Sequence, residues 1–369
     1  MSEEIAVDSM EYDVVIVGGG PSGLSTAIKL KQLAAENNSD LSVCLIEKGS
    51  EIGAHILSGN CFEPTALNEL IPDWKEKGAP LNTPAKKDIV KFFLTEKLSL
   101  GIPFASFFAP NFNNHGNYVM SLANFCRWLA TQAENLGVEI FPGFTAAEVI
   151  YENDTVKGIL TGEMGLTKEG EKKPSYQPPM ELRAKYTIFA EGCRGHLGKK
   201  LISKYALDAN SDPQHYGIGF KEVWDVPKEV HSEGTVMHSF GWPSKSNAGS
   251  YCYHGENNQV YLGIVVPLDY SNPHISPFDE FQQWKHHKDI KKLLENGTRV
   301  AYGARALTKG GYHSRPKMTF PGGILVGCDA GLMVFTKIKG THTAMKSGML
   351  AAESAFEAIS KNRIGEDLI

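Results

Sequence analysis

The stretch YDVVIVGGGPSGLSTAIKLKQLA, beginning at Tyr12, limits the possible folds more than any other part of the chain. Residues 13–17 are a β-branched run suited to a strand of a parallel sheet, buried on both faces. The run stops at Gly18, and a helical pattern carried by Leu24, Ala27, Ile28 and Leu30 starts after Pro21 and Ser22. Gly18, Gly20 and Gly23 form G-x-G-x-x-G at this junction. Gly18 allows the tight turn, and Gly20 lets a pyrophosphate touch the backbone. Gly23 lets the helix lie close to the strand, with its positive end toward the phosphates. Alone, such a turn is a weak signal. Here LSVCLIEK supplies a second strand whose last residues include Glu47, about the required distance downstream to take a ribose hydroxyl. An acid at that position points to an unphosphorylated ribose, hence FAD or NAD rather than NADP.

The far end of the chain favours FAD. FPGGILVGCDAG reads as a turn, a buried strand over 324–326, then Gly327 and Asp329. KIKGTHTAMKSGMLAAESAFEAI follows as a loop leading into a long helix that starts near Thr341. A late strand placed this way brings a polar group to a ribitol. The next helix points its positive end at the pyrimidine of a flavin, where reduction builds negative charge. AEGCRG over 190–195 follows another buried strand and suggests a further turn facing the nucleotide. Each late segment alone is equally compatible with ordinary α/β packing; together with the first motif they favour FAD.

Between these ends the grammar changes. GIGFKEVWDV, GTVMHSFGWP, GSYCYHG and QVYLGIVVPL are short alternating runs that predict a mostly antiparallel sheet. PFDEFQQWKHHKDIKKLLENG predicts a charged helix. His286 and His287 on it are adjacent rather than four apart, which suits a solvated face better than a metal site. GEMGLTKEGEKKPSYQPPMEL reads as a polar hairpin or loop. No second G-x-G-x-x-G follows, so no separate NAD(P)H domain is expected. The expected fold is α/β: an FAD-binding Rossmann-like domain of the glutathione-reductase type, with an inserted, mostly antiparallel α+β domain. The nucleotide domain is expected over 10–90, 121–210 and 311–369, an uncharged loop over 91–120 and the inserted sheet over 211–310.

Composition removes several alternatives. With 37 Lys+Arg against 42 Asp+Glu the formal net charge is −5, so no basic field recommends nucleic acid. The six cysteines, Cys44, Cys61, Cys126, Cys193, Cys252 and Cys328, include no C-x-x-C pair. Neither a zinc nor an iron–sulfur site can be read from their spacing. The opening MSEEIAVDSMEYD is acidic and lacks the pattern of a signal or transit peptide, so a short tail and a cytoplasm-like compartment are expected.

At this point the chain resembles the electron transfer flavoprotein–ubiquinone oxidoreductase family over nearly its whole length. The resemblance is carried by EIGAHILSG, DWKEKGAPLNTP, NNHGNYV, IFAEGCRGHL, YGIGFKEVW, SPFDEFQQWKHH, AYGARAL and KIKGTHTAMKSG. It implies an FAD enzyme that takes electrons from a soluble electron-transfer flavoprotein and delivers them to membrane ubiquinone. Catalysis would be flavin-centred, with no acid–base residue and no metal ligand in this chain. Carried over, Gly18, Gly20, Gly23 and Glu47 hold the ADP half of FAD. Ser58 and Gly59 lie against the cofactor, Gly327 and Asp329 follow the late strand, and Gly340 and Thr341 contact the isoalloxazine. A Gly-Gly pair that meets a quinone carbonyl in the family stands here as Ala248-Gly249. Where the family has GCSPGFMN this chain has GCDAGLMV, placing Asp329 and Val334 next to the flavin; an ionised Asp329 would make the flavin harder to reduce. Where the family has ALNEGG this chain has ALTKGG, and Thr308 can alter a flavin hydrogen bond.

Two further expectations come with the resemblance. The family continues into a second membrane-contacting segment and a 4Fe–4S cluster, for which none of these six cysteines can stand in. The chain is therefore expected to be a fragment, to rely on a cluster carried by another polypeptide, or to come from a branch that lost it. The alternatives are a cluster-free FAD-dependent reductase or hydroxylase of the same superfamily, or a non-catalytic FAD-binding chain that needs a partner. The other expectation concerns 98–126, which contains no Asp, Glu, Lys or Arg. Pro103, Pro110 and Gly101 rule out a spanning helix there. The region is buried core or, as the resemblance implies, a monotopic loop with Phe104, Phe107 and Phe108 as membrane wedges. The implied location is peripheral, on the cytoplasmic face of a bacterial inner membrane.

Overall fold

The computed structural model describes residues 8–57, 59–103, 109–243, 246 and 248–368. Ser9–Val17 is the central strand of the first layer, with Val43–Glu47 parallel on one side and Glu181–Phe189 parallel on the other. Glu139–Pro142 and Gly323–Leu325 extend the parallel sheet at its two ends. The β-branched run has a physical reason. Val14 and Ile16 enter the core under the long helices, while Val15 and Val17 enter a second core on the opposite face. A strand covered on both sides has no place for a polar residue.

Two long helices cover the first of these faces, Pro21–Glu36 and Thr341–Ser360. They are tightly packed against each other. A Cβ on Gly348 would stand 2.3 Å from the Ser22 carbonyl oxygen and 2.7 Å from Thr26 Oγ1, so the backbones meet where no larger residue fits. Below that point Ala351, Ala352 and Ala355 continue the small-residue face against the same core. Leu122–Asn135 packs beside the first helix; its N-cap, Ser121, accepts from the Asn124 amide.

The second layer is a seven-stranded sheet in the order 298–308, 216–225, 259–267, 249–254, 235–241, 87–93, 99–101. It is antiparallel except where Thr235–Gly241 runs parallel to Lys87–Phe93. One face carries two helices, Pro277–Lys285 and Lys288–Leu294, anchored by Phe281, Trp284, Ile290 and Leu293. The other face turns to the nucleotide layer and packs Val223, Tyr251, Tyr253 and Tyr261 with Cys61 and Leu57.

Two differences from the sequence-based reading have clear causes. The stretch expected to be an uncharged loop contributes strand: Lys87–Phe93 and Ser99–Gly101 form a hairpin on the edge of the second sheet, with Phe93 buried. Apolar alternation across a charged turn conceals that hairpin in a one-dimensional reading. His287 is not on a solvated face. It is fully buried at the break between the two helices, stacked on Phe93 at 3.6 Å, and its ring accepts from the Asp289 amide. His286 remains exposed.

Gly348→Val should lower the unfolding free energy by about 1–3 kcal/mol, the usual range for overpacking. Leu350→Ala, on the half-exposed side of the same helix, should leave it nearly unchanged. Denaturant melts of both variants check this.

Candidate functional site

Gly18 has φ +112°, and a Cβ there would lie 2.5 Å from the Ala190 carbonyl oxygen. That contact brings the 190–195 turn against the glycine loop. A Cβ on Gly23 would stand 2.0 Å from the Gly18 carbonyl oxygen, so the helix can approach the strand only at glycine. Around Gly20 nothing lies within 4 Å of the Cβ position, which leaves its backbone open to a ligand. Gly20 is also the N-cap of Pro21–Glu36. No side chain caps this helix and no acid stands in its first turn, so its first amides and its positive dipole end are available to an anion.

Glu47 ends the second strand, as expected. Its Oε2 accepts from the Gly19 amide at 2.9 Å and its Oε1 from the Gly49 amide at 2.7 Å, so one carboxylate ties the glycine loop to the following turn.

Gly327 is where the two ends of the chain meet. Its φ is +64°, and a Cβ would lie 2.7 Å from Ser22 Oγ and 3.5 Å from Ala344 Cβ. Its amide donates to Ser347 Oγ at 2.9 Å. The first turns of both long helices therefore converge on one glycine. Gly340 is the N-cap of Thr341–Ser360, again with no side-chain cap and no acid in the first turn. Thr341 Oγ1 accepts from Asn60 Nδ2 at 2.8 Å. Gly59, with φ +108°, would place a Cβ 2.5 Å from Tyr261 Cβ, which brings this loop onto the second sheet. Gly18, Gly20, Gly23, Gly327, Gly340, Thr341 and Gly59 thus form one linked lining from the glycine loop to the seam between the layers. Ser58 lies outside the described residues.

Ala248 is buried beside the first residue of the strand Gly249–His254, and Gly249 pairs with Phe240 and Val265. The Phe112 ring meets Phe240 at 6.0 Å and His238 at 5.3 Å. The turn Pro110–Phe112 that carries it also packs against Phe335–Lys337, just before Gly340. Gly249 therefore reaches the rest of the lining through Phe240 and this intermediate turn, whereas the Ala248 side chain packs into the core on the helix-covered face of the sheet.

Asp329 lies against the 191–198 turn. Its carboxylate packs on Gly198, where a Cβ would lie 2.3 Å from Oδ1, and beside Glu191. Glu191 itself accepts from the Gly198 amide at 2.7 Å. Burial, with the Glu191 charge adding to it, pushes Asp329 well above the usual carboxylate range and favours the protonated form. The negative charge suggested by its residue type is correspondingly reduced.

Sequence reasoning missed one row of the second sheet. Lys221 pairs with Gly263, Gly263 with Tyr251 and Tyr251 with His238, so these four share the face turned to the nucleotide layer. A Cβ on Gly263 would stand 2.7 Å from the Tyr251 hydroxyl, which is buried without a hydrogen-bond partner among the described residues. His238 shares a 2.9 Å hydrogen bond with Tyr253; burial, aided by the Lys339 charge, pushes it down to about 3. Thr308 Oγ1 is also buried without a partner. Alternation in YGIGFKEVW could have flagged Lys221, because Gly219, Lys221 and Val223 share one face.

The residues 216–307 match the family model described as ETF-QO, ubiquinone-binding, and 16–66 match the NAD(P)-binding Rossmann-like domain. Electron transfer flavoprotein–ubiquinone oxidoreductase of Pseudomonas aeruginosa is 60% identical over 363 residues, 97% of this chain and 66% of that protein. The chain belongs to the electron transfer flavoprotein–ubiquinone oxidoreductase family. The mitochondrial family member of Sus scrofa is 54% identical over 96% of this chain and 58% of its own length. The chain thus spans about two thirds or less of the curated family members it matches. Among solved structures, a geranylgeranyl bacteriochlorophyll reductase-like protein of Thermoplasma acidophilum superposes with a TM-score of 0.70 at 21% identity, covering 96% of this chain and 80% of its own. A flavin-dependent brominase gives 0.65 at 18%, covering 97% and 81%. Both share the fold. Among the described residues no cluster of three His, Cys, Asp or Glu could hold a metal, and no helix is long and apolar enough to cross a membrane.

Because Glu47 holds two loop amides through charge-assisted hydrogen bonds, Glu47→Ala should cost roughly 1.5–3 kcal/mol in unfolding free energy. Glu47→Asp, too short to span both amides, should fall between the two in the same melts.

Proposed function

We propose that this chain binds FAD along the linked lining and passes electrons from reduced electron-transfer flavoprotein to ubiquinone. One observation carries the reading: two uncapped helix N-termini converge on Gly327 at the seam with a sheet that matches the ubiquinone-binding family model. Gly18, Gly20 and Gly23 receive the pyrophosphate, and Glu47 exchanges a loop amide for a ribose hydroxyl. Gly59, Gly327 and Asp329 line the middle of the cofactor, Asp329 by shaping the 191–198 turn; a role for Ser58, outside the described residues, rests on the resemblance alone. Gly340 and Thr341 bring a positive helix end to the ring. Gly249, beside Phe240, and the preceding residue Ala248 offer backbone to a quinone carbonyl. FAD, when bound, supplies the electron-carrying chemistry; the chain's own residues bind it, orient it and exclude water. The 4Fe–4S cluster that the resemblance implies has no ligands among these cysteines, and no step here passes through it.

The route to quinone runs through the membrane surface. On the edge hairpin Leu94, Leu98, Leu100 and Ile102 are 43–54% exposed, an apolar row with no covering element among the described residues. Phe104, Phe107 and Phe108 follow directly in sequence and lie outside the described residues. This hairpin enters one leaflet, making the protein peripheral, on the cytoplasmic face of the inner membrane.

Anaerobic mixing of the FAD-loaded chain with reduced electron-transfer flavoprotein should reduce its flavin, and a soluble ubiquinone analogue should then reoxidise it. Absence of flavin reduction at every protein ratio overturns the function. Replacing Leu98 and Leu100 together by Ser should remove most of the liposome co-sedimentation while FAD stays bound. A folded double variant that sediments like the parent rules out the hairpin.

A further inference from the structure

Side chains along Tyr216–Asp225 alternate between the faces of the second sheet. Val223 packs with Tyr251, Tyr253 and Tyr261 against Cys61 and Leu57, so Lys221, two residues earlier, also faces the seam between the layers. Its neighbours across the two adjacent strands are both glycines, Gly263 and Gly303. Over these glycines lie the Tyr251 hydroxyl, 2.7 Å from a Cβ built on Gly263, and the Leu57 side chain, 3.3 Å from one built on Gly303, so Lys221 stands between an aromatic wall and the loop from the nucleotide layer. In the next row Arg305 reaches over the seam and donates to the His55 carbonyl at 3.2 Å.

Among the described residues no carboxylate and no hydrogen-bond acceptor meets the Lys221 ammonium. Its electrostatic neighbour is a second cation, Arg305, and burial followed by that guanidinium pushes Lys221 down to about 8. The adjacent residue on the other face behaves in the opposite way: Glu222 is buried and met by Lys285 at 2.9 Å and Arg299 at 3.3 Å. Lys221 is half-buried, and a partly desolvated charge without a carboxylate partner costs stability. Such a group gains a function where charge arrives during the reaction.

We propose that Lys221 faces the redox-active ring bound in the seam and offsets the negative charge that the ring acquires on reduction. This rests on the reading that FAD occupies the seam. Each electron supplied by the electron-transfer flavoprotein adds one negative charge to the ring. An ammonium already in position neutralises it by field alone, with no bond formed and no proton moved. Lys221 is thus a charge-compensating residue whose effect should appear in the properties of the flavin itself.

Sulfite provides a probe that requires no turnover. Its sulfur lone pair forms a bond to flavin N5, and the ring takes up the negative charge, bleaching its absorbance. In the FAD-loaded full chain, Lys221→Met should raise the sulfite dissociation constant about tenfold or more and make the reduction potential more negative. Lys221→Arg should keep both close to the parent. FAD affinity, read by fluorescence, should change less than sulfite affinity. If Lys221→Met fails to fold, Lys221→Gln, which is shorter but polar and uncharged, takes its place in the same comparison. Unchanged sulfite affinity and potential in a folded, FAD-loaded neutral variant overturn the inference while leaving the flavin reading intact. Equal losses in the Arg and neutral variants also overturn it, because charge would then not be the property that matters. A parent chain that binds no FAD overturns the flavin reading itself.

Discussion

The close contact between the first and last long helices governs where everything else can lie. Gly23 lets Pro21–Glu36 rest on the central strand, and Gly348 lets Thr341–Ser360 reach the Ser22 backbone. A side chain at Gly23 would push the first helix off the strand, and one at Gly348 would push the two helices apart. Gly327 would then no longer sit between their first turns, hydrogen-bonded to Ser347. Because backbone dipoles add along a helix, two helix starts aimed at one locality create a positive field from main chain alone. An anionic cofactor can be held there without a cluster of Lys or Arg, which agrees with a net charge of −5.

The second layer completes what the first leaves open. Its inner face is not uniformly packed: Tyr251, Tyr253 and Tyr261 close one side, while Gly263, Gly303 and Gly59 keep backbone close to the seam. Packed aromatics give rigidity and exclude water, and the glycines let Tyr251, Leu57 and Tyr261 lie directly on backbone. The Tyr251 hydroxyl stranded among them is costly for a core and suited to a binding surface.

Environment overrides residue type at several positions. Asp329 carries a residue type that would oppose flavin reduction, yet its burial beside Glu191 favours the neutral form. His287 sits in a run of charged residues and is a core residue, stacked on Phe93 and capping a helix. His238 is kept neutral by burial and serves as a hydrogen-bond partner of Tyr253. In each case the surroundings come from segments distant in sequence, so local composition carries no trace of them.

The nucleotide half was legible because its signals are local. A β-branched run, three glycines at fixed spacing and a terminal acid are read within a single turn of chain, and each has one dominant physical explanation. The late helix start at Thr341 was legible for the same reason, and so was the alternation of the inserted strands. The row Lys221–Gly263–Tyr251–His238 was not, since it exists only after four strands have set their register. The edge hairpin was also missed, because its strands are short and their pairing partner, Thr235–Gly241, lies far downstream. The sequence by itself determined that the chain builds a dinucleotide-type layer and an inserted sheet, because periodicity and glycine spacing act over a few residues. Only the tertiary structure decided which side chains meet across the seam and which of them carry charge there, because desolvation and strand register are properties of packed neighbours.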